Sequence, residues 1–164
     1  MKWLGDVTNG KMILNEYGKV AEQQWLWLAG QYDYVKLDEF VIMPNHMHAI
    51  LVIADDGDRR DNPRVVPTRT PTTAYNRRHN LLSKSVNAFK TTTSKLIHQH
   101  GLMEFIWQRS FYDHVIRNDE SLRGIREYIT NNPMKWHLDR DNPENLFMSM
   151  TRHHVVEMPS RPSR

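Results

Sequence analysis

The sequence contains no cysteine. Disulfide cross-links, thiolate zinc sites and cysteine nucleophiles are therefore excluded, and histidine, carboxylate, amide and tyrosine are left to bind metal or do covalent chemistry. A long apolar run is also missing. The opening MKWLGDVTNG has a single lysine and no apolar core of a secretory leader, and no stretch approaches the roughly 20 apolar residues that a bilayer crossing needs. There is no internal repeat. These absences lead us to expect a cytoplasmic protein with no membrane partner. Neither sign of charge dominates: the net charge of +3 and a pI near 9.2 permit a polyanionic partner without demanding one. With 164 residues and 39% hydrophobic content, the chain suits one domain around one core.

LGDVTNGKMIL has two short extended pieces around Asn9-Gly10, a dipeptide that accepts positive φ and favours a tight hairpin. A helix is expected from about Asn15 to Leu28, with Val20, Trp25 and Leu28 on one face, Tyr17 and Leu26 at its edges, and Gly30 as its stop. YVKLDEFVIMPNHMHAILVI reads as two strands joined at Met43-Pro44-Asn45. The second is apolar on both faces beyond His48, the pattern of a strand interior to a sheet. Residues 54–80 are rich in Asp, Arg, Pro and Thr and show neither period, so a flexible insertion is expected there. Helical spacing resumes from Ser83 to about His100, with Leu82, Val86, Phe89, Thr93, Leu96 and Ile97 in one stripe and Gly101 as the stop. FIWQRSFYDHVI (105–116) is aromatic and β-prone and is expected to form a strand. A last helix follows, with Asn118 or Asp119 as N-cap, Leu122, Ile125 and Ile129 inward, and Pro133 as terminator. Residues 1–138 thus form one expected domain, and 139–164 a poorly ordered tail.

Chemistry enters at PNHMHAILVI (44–53). In an extended chain residues two apart share a face, so His46 and His48 project together with Met47 turned away. An isolated H-x-H at a strand end is commonly no more than a pair of surface histidines, so a further ligand and a reacting group must come from elsewhere. The last helix offers candidates. Tyr128 and Asn132 are four apart, hence one above the other on a single helical face, just off the apolar row. A tyrosine hydroxyl is a weak nucleophile at its ordinary pKa, but a divalent cation on phosphate oxygens can neutralise developing charge and orient the group for in-line attack. Taken singly, Tyr128 is an amphipathic residue at a core edge and Asn132 a helix-end residue.

Three segments in order, GDVTNGKMILNEYGKV, VIMPNHMHAILVI and WQRSFYDHVIRNDESLRGIREYITNNPMKW, closely resemble the REP-associated tyrosine transposases, members of the single-tyrosine HUH transposase superfamily. The resemblance covers most of residues 4–145. It implies an α+β, ferredoxin-like catalytic domain, an antiparallel sheet flanked by helices, and cleavage of single-stranded DNA beside short palindromic hairpins. It further implies that His46 and His48 bind Mg²⁺ or Mn²⁺, with Asn132 at the superfamily's third metal-side position. Tyr128 would be the nucleophile, forming a 5′-phosphotyrosine bond and freeing a 3′-hydroxyl. Family members ordinarily carry another strand upstream of the segment matching LGDVTNG. This chain starts without it, so a sheet lacking an interior strand is expected, with open backbone groups that invite association. Monomer and homodimer both stay open.

Two rival readings remain at this stage. A histidine-triad nucleotide hydrolase would want a third histidine where Ile50 stands. A binding module would grip hairpin DNA without cutting it, through Arg77, Arg78, Lys84, Lys90, Lys95, Arg109 and Arg117, with Trp107, Phe111 and Tyr112 available to stack on bases. Against this, any one such cation is commonly a solvated surface group and any one such aromatic a core residue.

Overall fold

The computed structural model describes residues 1–54 and 71–145, with side chains omitted for 71–75 and 77. The chain forms strands β1 (Gly5–Thr8) and β2 (Lys11–Leu14), helix α1 (Glu16–Gln31), and strands β3 (Val35–Ile42) and β4 (Met47–Ile53). Helices α2 (Pro71–Gln99) and α3 (Asp119–Asn131) and a 3-10 helix over Pro133–Leu138 complete a mixed α+β domain.

The first hairpin turns on Asn9 and Gly10, both at positive φ (52° and 72°), the paired left-handed geometry that matches the twist of two flanking strands. Asn15 then caps α1 by accepting a hydrogen bond from the Gly18 amide at 2.9 Å. Gly18 has to be glycine, because a Cβ there would lie 2.1 Å from the Leu4 carbonyl oxygen. Helix α1 buries Ala21, Trp25 and Leu28, while Leu26, expected at the edge of that face, is exposed. The helix passes through Gly30 and ends at Gln31. Gly30 meets nothing that would force a turn, and a helical glycine costs only about 1 kcal/mol relative to alanine.

Strands β3 and β4 pair antiparallel from Val35↔Ile53 to Ile42↔Met47. Among the described residues each hairpin is its own two-stranded sheet. A cleft of about 200 Å³, lined by Met12 and Leu14 of β2 and Phe40, Val41 and Ile42 of β3, lies between them. The interior position expected of β4 is not observed: β3 is its one partner among the described residues, and Val52 is exposed. Helix α2 begins at Pro71, twelve residues before the sequence reading starts it, so 71–80 belong to the helix rather than to an insertion. Proline is tolerated in a first helical turn, and the largely polar run PTTAYNRRHN gives the sequence no periodic apolar signal. The rest of the expected insertion, 55–70, lies outside the described residues.

No strand forms over 105–116. Phe105 is instead buried against Trp3 and Trp107, and the half-buried Trp107 packs against Phe89. Two of the aromatics that suggested a strand, Phe105 and Trp107, thus serve the core from an irregular segment, while Tyr112 is exposed. The core has two centres, Leu4, Ala21, Ile42, Ile97 and Phe105 in one and Trp25, Leu28, Val35 and Phe89 in the other. Phe40, Met47 and Trp107 touch both and join them.

Residues 139–145 depart from the tail expectation. Asn142 is buried and donates to the Trp136 carbonyl at 3.1 Å, Asn145 donates to the carbonyls of His137 and Asp139, and Lys2 pairs with Glu144 at 2.9 Å. Asp and Asn side chains make local turns of this kind, which fold the segment back on the 3-10 helix. Residues 146–164 lie outside the described residues.

Candidate metal and tyrosine site

The β3–β4 turn is closed by the Met43 amide donating to the His46 carbonyl at 2.9 Å, and it is tied to the N-terminal segment by the Leu4 amide on the Pro44 carbonyl. His46 leaves this turn and His48 sits at the start of β4, with their Nε2 atoms 3.1 Å apart. Their chemistry is set by a neighbour. Asn45 Nδ2 donates to the Asp141 carbonyl at 2.7 Å, which turns Asn45 Oδ1 toward His46 Nδ1 at 2.8 Å. Nδ1 therefore carries the proton and the Nε2 lone pair faces the site.

Burial pushes both imidazoles below the ordinary 6.5, and His46 lowers His48 further, while Asp139 and Asp141 partly oppose the shift. Both are neutral near pH 7 and able to bind metal. Asp139 Oδ2 lies 3.8 Å from His46 Nε2. With His46 neutral this is a shared opening rather than an ion pair. The ligand atoms of His46, His48 and Asp139 all fall within 4.8 Å of one another.

Does this arrangement fit a divalent cation? Two nitrogens about 2.1 Å from one ion at a right angle stand about 3.0 Å apart, close to the observed 3.1 Å. A second observation comes from α3 and its continuation. Tyr128 packs edge-on against the His48 ring at 5.3 Å, and Trp136 lies 6.0 Å from the His46 ring. Asn132 falls between them in the chain, and its Oδ1 is buried with no hydrogen-bond partner. An orphan carbonyl oxygen costs about 1–3 kcal/mol, and a cation within its reach would relieve it. Imidazole nitrogen with carboxylate and amide oxygen is a donor set for a divalent ion.

Tyr128 Oη lies 3.5 Å from His48 Nε2, and the ring is about half exposed. His46, His48 and Tyr128 are thus together, with Asn132 on the same helical face. The proposed DNA-binding cations are dispersed. The Arg77 side chain lies outside the described residues. Lys84 sits over the Tyr32 ring at 5.7 Å. Lys90 donates to the carbonyls of Gln108 and Ser110 at 2.8 and 3.1 Å, so it holds a loop. Lys95 lines an open groove of about 690 Å³ with Ser94, His98, Ile106 and Trp107. Arg78, Arg109 and Arg117 are exposed, as is Tyr112.

Sequence reasoning missed Asp139, Asn45 and Trp136. Asp139 falls in the expected tail, although the run DRDNPEN (139–145) carries the residues of consecutive side-chain-capped turns. That run was the available signal for order.

No protein-family model matches the chain, and no solved structure matches it. Two proteins of Haemophilus influenzae do. One, an uncharacterized protein, is 32% identical over 138 residues, spanning 83% of this chain and 75% of its own length. The other, named "Putative REP-associated tyrosine transposase", is 30% identical over 94 residues, spanning 57% of this chain and 47% of its own length.

Proposed function

We propose a DNA strand-cleaving and strand-joining activity for this chain, which belongs to one family with the uncharacterized Haemophilus influenzae protein. The carrying observation is the convergence of the His46 and His48 nitrogens, 3.1 Å apart, with the Tyr128 hydroxyl 3.5 Å from His48. The partial likeness to the second relative supports it. On this reading the two small sheets and their helices are a version of the ferredoxin-like HUH domain, and the substrate is single-stranded DNA bearing a hairpin.

His46, His48, Asp139 and Asn132 would hold Mg²⁺ or Mn²⁺, which when bound offsets the charge that develops on phosphate oxygens. Tyr128 supplies the attacking atom. Its Oη forms a bond to phosphorus as the bond from phosphorus to the 3′-oxygen breaks. The phenol gives up its proton, and the departing oxygen gains one to become a 3′-hydroxyl. The DNA remains on the protein as a 5′-phosphotyrosine ester. Attack by a 3′-hydroxyl on that ester reverses the step and joins strands without a nucleotide cofactor. Asn45 keeps His46 in the tautomer that leaves Nε2 free.

Incubation with hairpin-bearing single-stranded DNA and Mn²⁺ should give a covalent adduct that survives denaturing electrophoresis. Tyr128→Phe should abolish it, since the ring stays and the attacking oxygen goes. An adduct undiminished in Tyr128→Phe overturns the assignment of the nucleophile. Tight DNA binding with no adduct from the wild-type chain would mark a binding module instead.

A further inference from the structure

Helix α3 carries the tyrosine on a thin apolar stripe. Ile129 is its one fully buried residue, while Leu122 and Ile125 are only half-buried. On so narrow a buried stripe, the roll of the helix about its own axis is set largely by contacts at the edges of the stripe. Each residue advances roughly 100° around a helix, so Arg126 and Tyr128 lie on opposite flanks of the stripe centred on Ile125 and Ile129. Tyr128 reaches His48 on one flank. On the other, Arg126 grips Asp38 of β3 in a two-pronged contact, Nε to Oδ1 at 2.9 Å and Nη2 to Oδ2 at 2.6 Å.

Asp38 is itself fixed. Leu37 pairs with Leu51 and Phe40 with Ala49, so Asp38 and Glu39 together oppose Ile50 in a β-bulge. Asp38 Oδ1 also accepts the Glu39 amide at 2.7 Å. A bulge re-aims one side chain from a strand, and here that side chain is the carboxylate that meets α3. The fork geometry sets orientation as well as attraction.

We propose that the Asp38–Arg126 pair is a positioning device that sets the roll of α3 and so holds the Tyr128 oxygen at the histidine pair. The inference rests on Tyr128 being the nucleophile and goes beyond it by assigning the reach of that oxygen to two residues remote from the phosphate. A displacement of about 1 Å in a reacting group can cost on the order of 10²-fold in rate, so loss of the clamp should slow the chemical step without weakening DNA or metal binding.

The test uses the full chain, with Arg126→Met, Asp38→Asn and their combination, and Arg126→Lys, which keeps the charge but loses the fork. The single-turnover rate of adduct formation at saturating hairpin DNA and Mn²⁺ should fall by at least about 10-fold in each. The double variant should be no slower than the slower single one, and the affinities for DNA and Mn²⁺ should be unchanged. A second readout needs no activity: with 3-fluorotyrosine at position 128, Mn²⁺ bound at the histidines should broaden the fluorine resonance strongly in the parent and less in the variants. Wild-type rates, or equal broadening in parent and variants, would overturn the proposal. If Arg126→Met unfolds, the same two measurements on Arg126→Lys decide. Tyr128→Phe separates the two readings: an adduct persisting there removes the nucleophile, whereas an adduct lost there but formed at full rate in Arg126→Met removes only the clamp.

Discussion

Asn45 joins two parts of the site through one amide. It fixes the His46 tautomer and anchors the Asp141 carbonyl, two residues beyond Asp139. At the proposed metal site, Asn45→Ala is therefore expected to weaken Mn²⁺ binding about 10–100-fold, the usual cost of losing a partner behind a metal ligand, measured by isothermal titration. Acid should expose the buried histidines in another way. Without metal, the unfolded chain takes up protons near 6.5, whereas burial holds His46 and His48 below that value in the folded protein. Below 6.5 the unfolded state then binds more protons, so folding stability falls as pH falls toward the folded-state values. The urea midpoint should be lower at mildly acid than at neutral pH. A His46→Gln/His48→Gln double variant should lose much of that difference; an undiminished difference would assign it to other groups.

At the level of elements, backbone contacts decide which positions can change. Gly18 of α1 lies so close to the Leu4 carbonyl that Gly18→Ala would put a methyl into it, and a loss of about 1–3 kcal/mol or more is expected from such overpacking. Gly30 of the same helix has open space at its Cβ position. Gly30→Ala should instead add about 0.5–1 kcal/mol through helix propensity. Urea denaturation of the two variants reads both effects, and equal shifts would contradict this view of the packing. Both glycines look alike in the sequence. The hairpin at Asn9-Gly10 and the Asn118 cap of α3, whose Oδ1 accepts the Ser121 amide at 2.8 Å, were legible because their causes are local. The expected strand at 105–116 was not, because β propensity reports how a residue suits a pleated, half-buried surface and not whether its side chain is taken into a core, as those of Phe105 and Trp107 are.

Across the whole molecule, any grip on DNA depends on where cations remain available. Binding of hairpin DNA should weaken as salt rises, since neutralising phosphates releases counterions; fluorescence anisotropy at low and physiological salt measures it, and insensitivity to salt would count against a nucleic-acid partner. The lysines should not behave alike. Lys90 is engaged by two carbonyls, so Lys90→Gln should loosen the 108–110 segment and lower the melting temperature. Lys95 lies exposed in the groove, so Lys95→Gln should reduce the salt slope by about one while leaving stability nearly unchanged. Among the described residues no helix is long and apolar enough to cross a membrane, in keeping with the missing apolar runs.

The sequence by itself determined what depends on neighbours along the chain. The face shared by His46 and His48 follows from extended geometry, and the Tyr128–Asn132 row follows from helical geometry. The absence of cysteine limits the available donors. Tertiary structure alone decided which of these meet. It set Tyr128 against His48 and Trp136 against His46, and it brought Asp139 to the histidines from a segment that resembled a tail. It also committed Lys90 to a loop. The physical reason is that periodicity reports only whether a face is buried, whereas burial against a particular partner depends on packing between residues distant in the chain. The Asp38–Arg126 contact links positions 88 residues apart, and no local pattern in either segment announces the other.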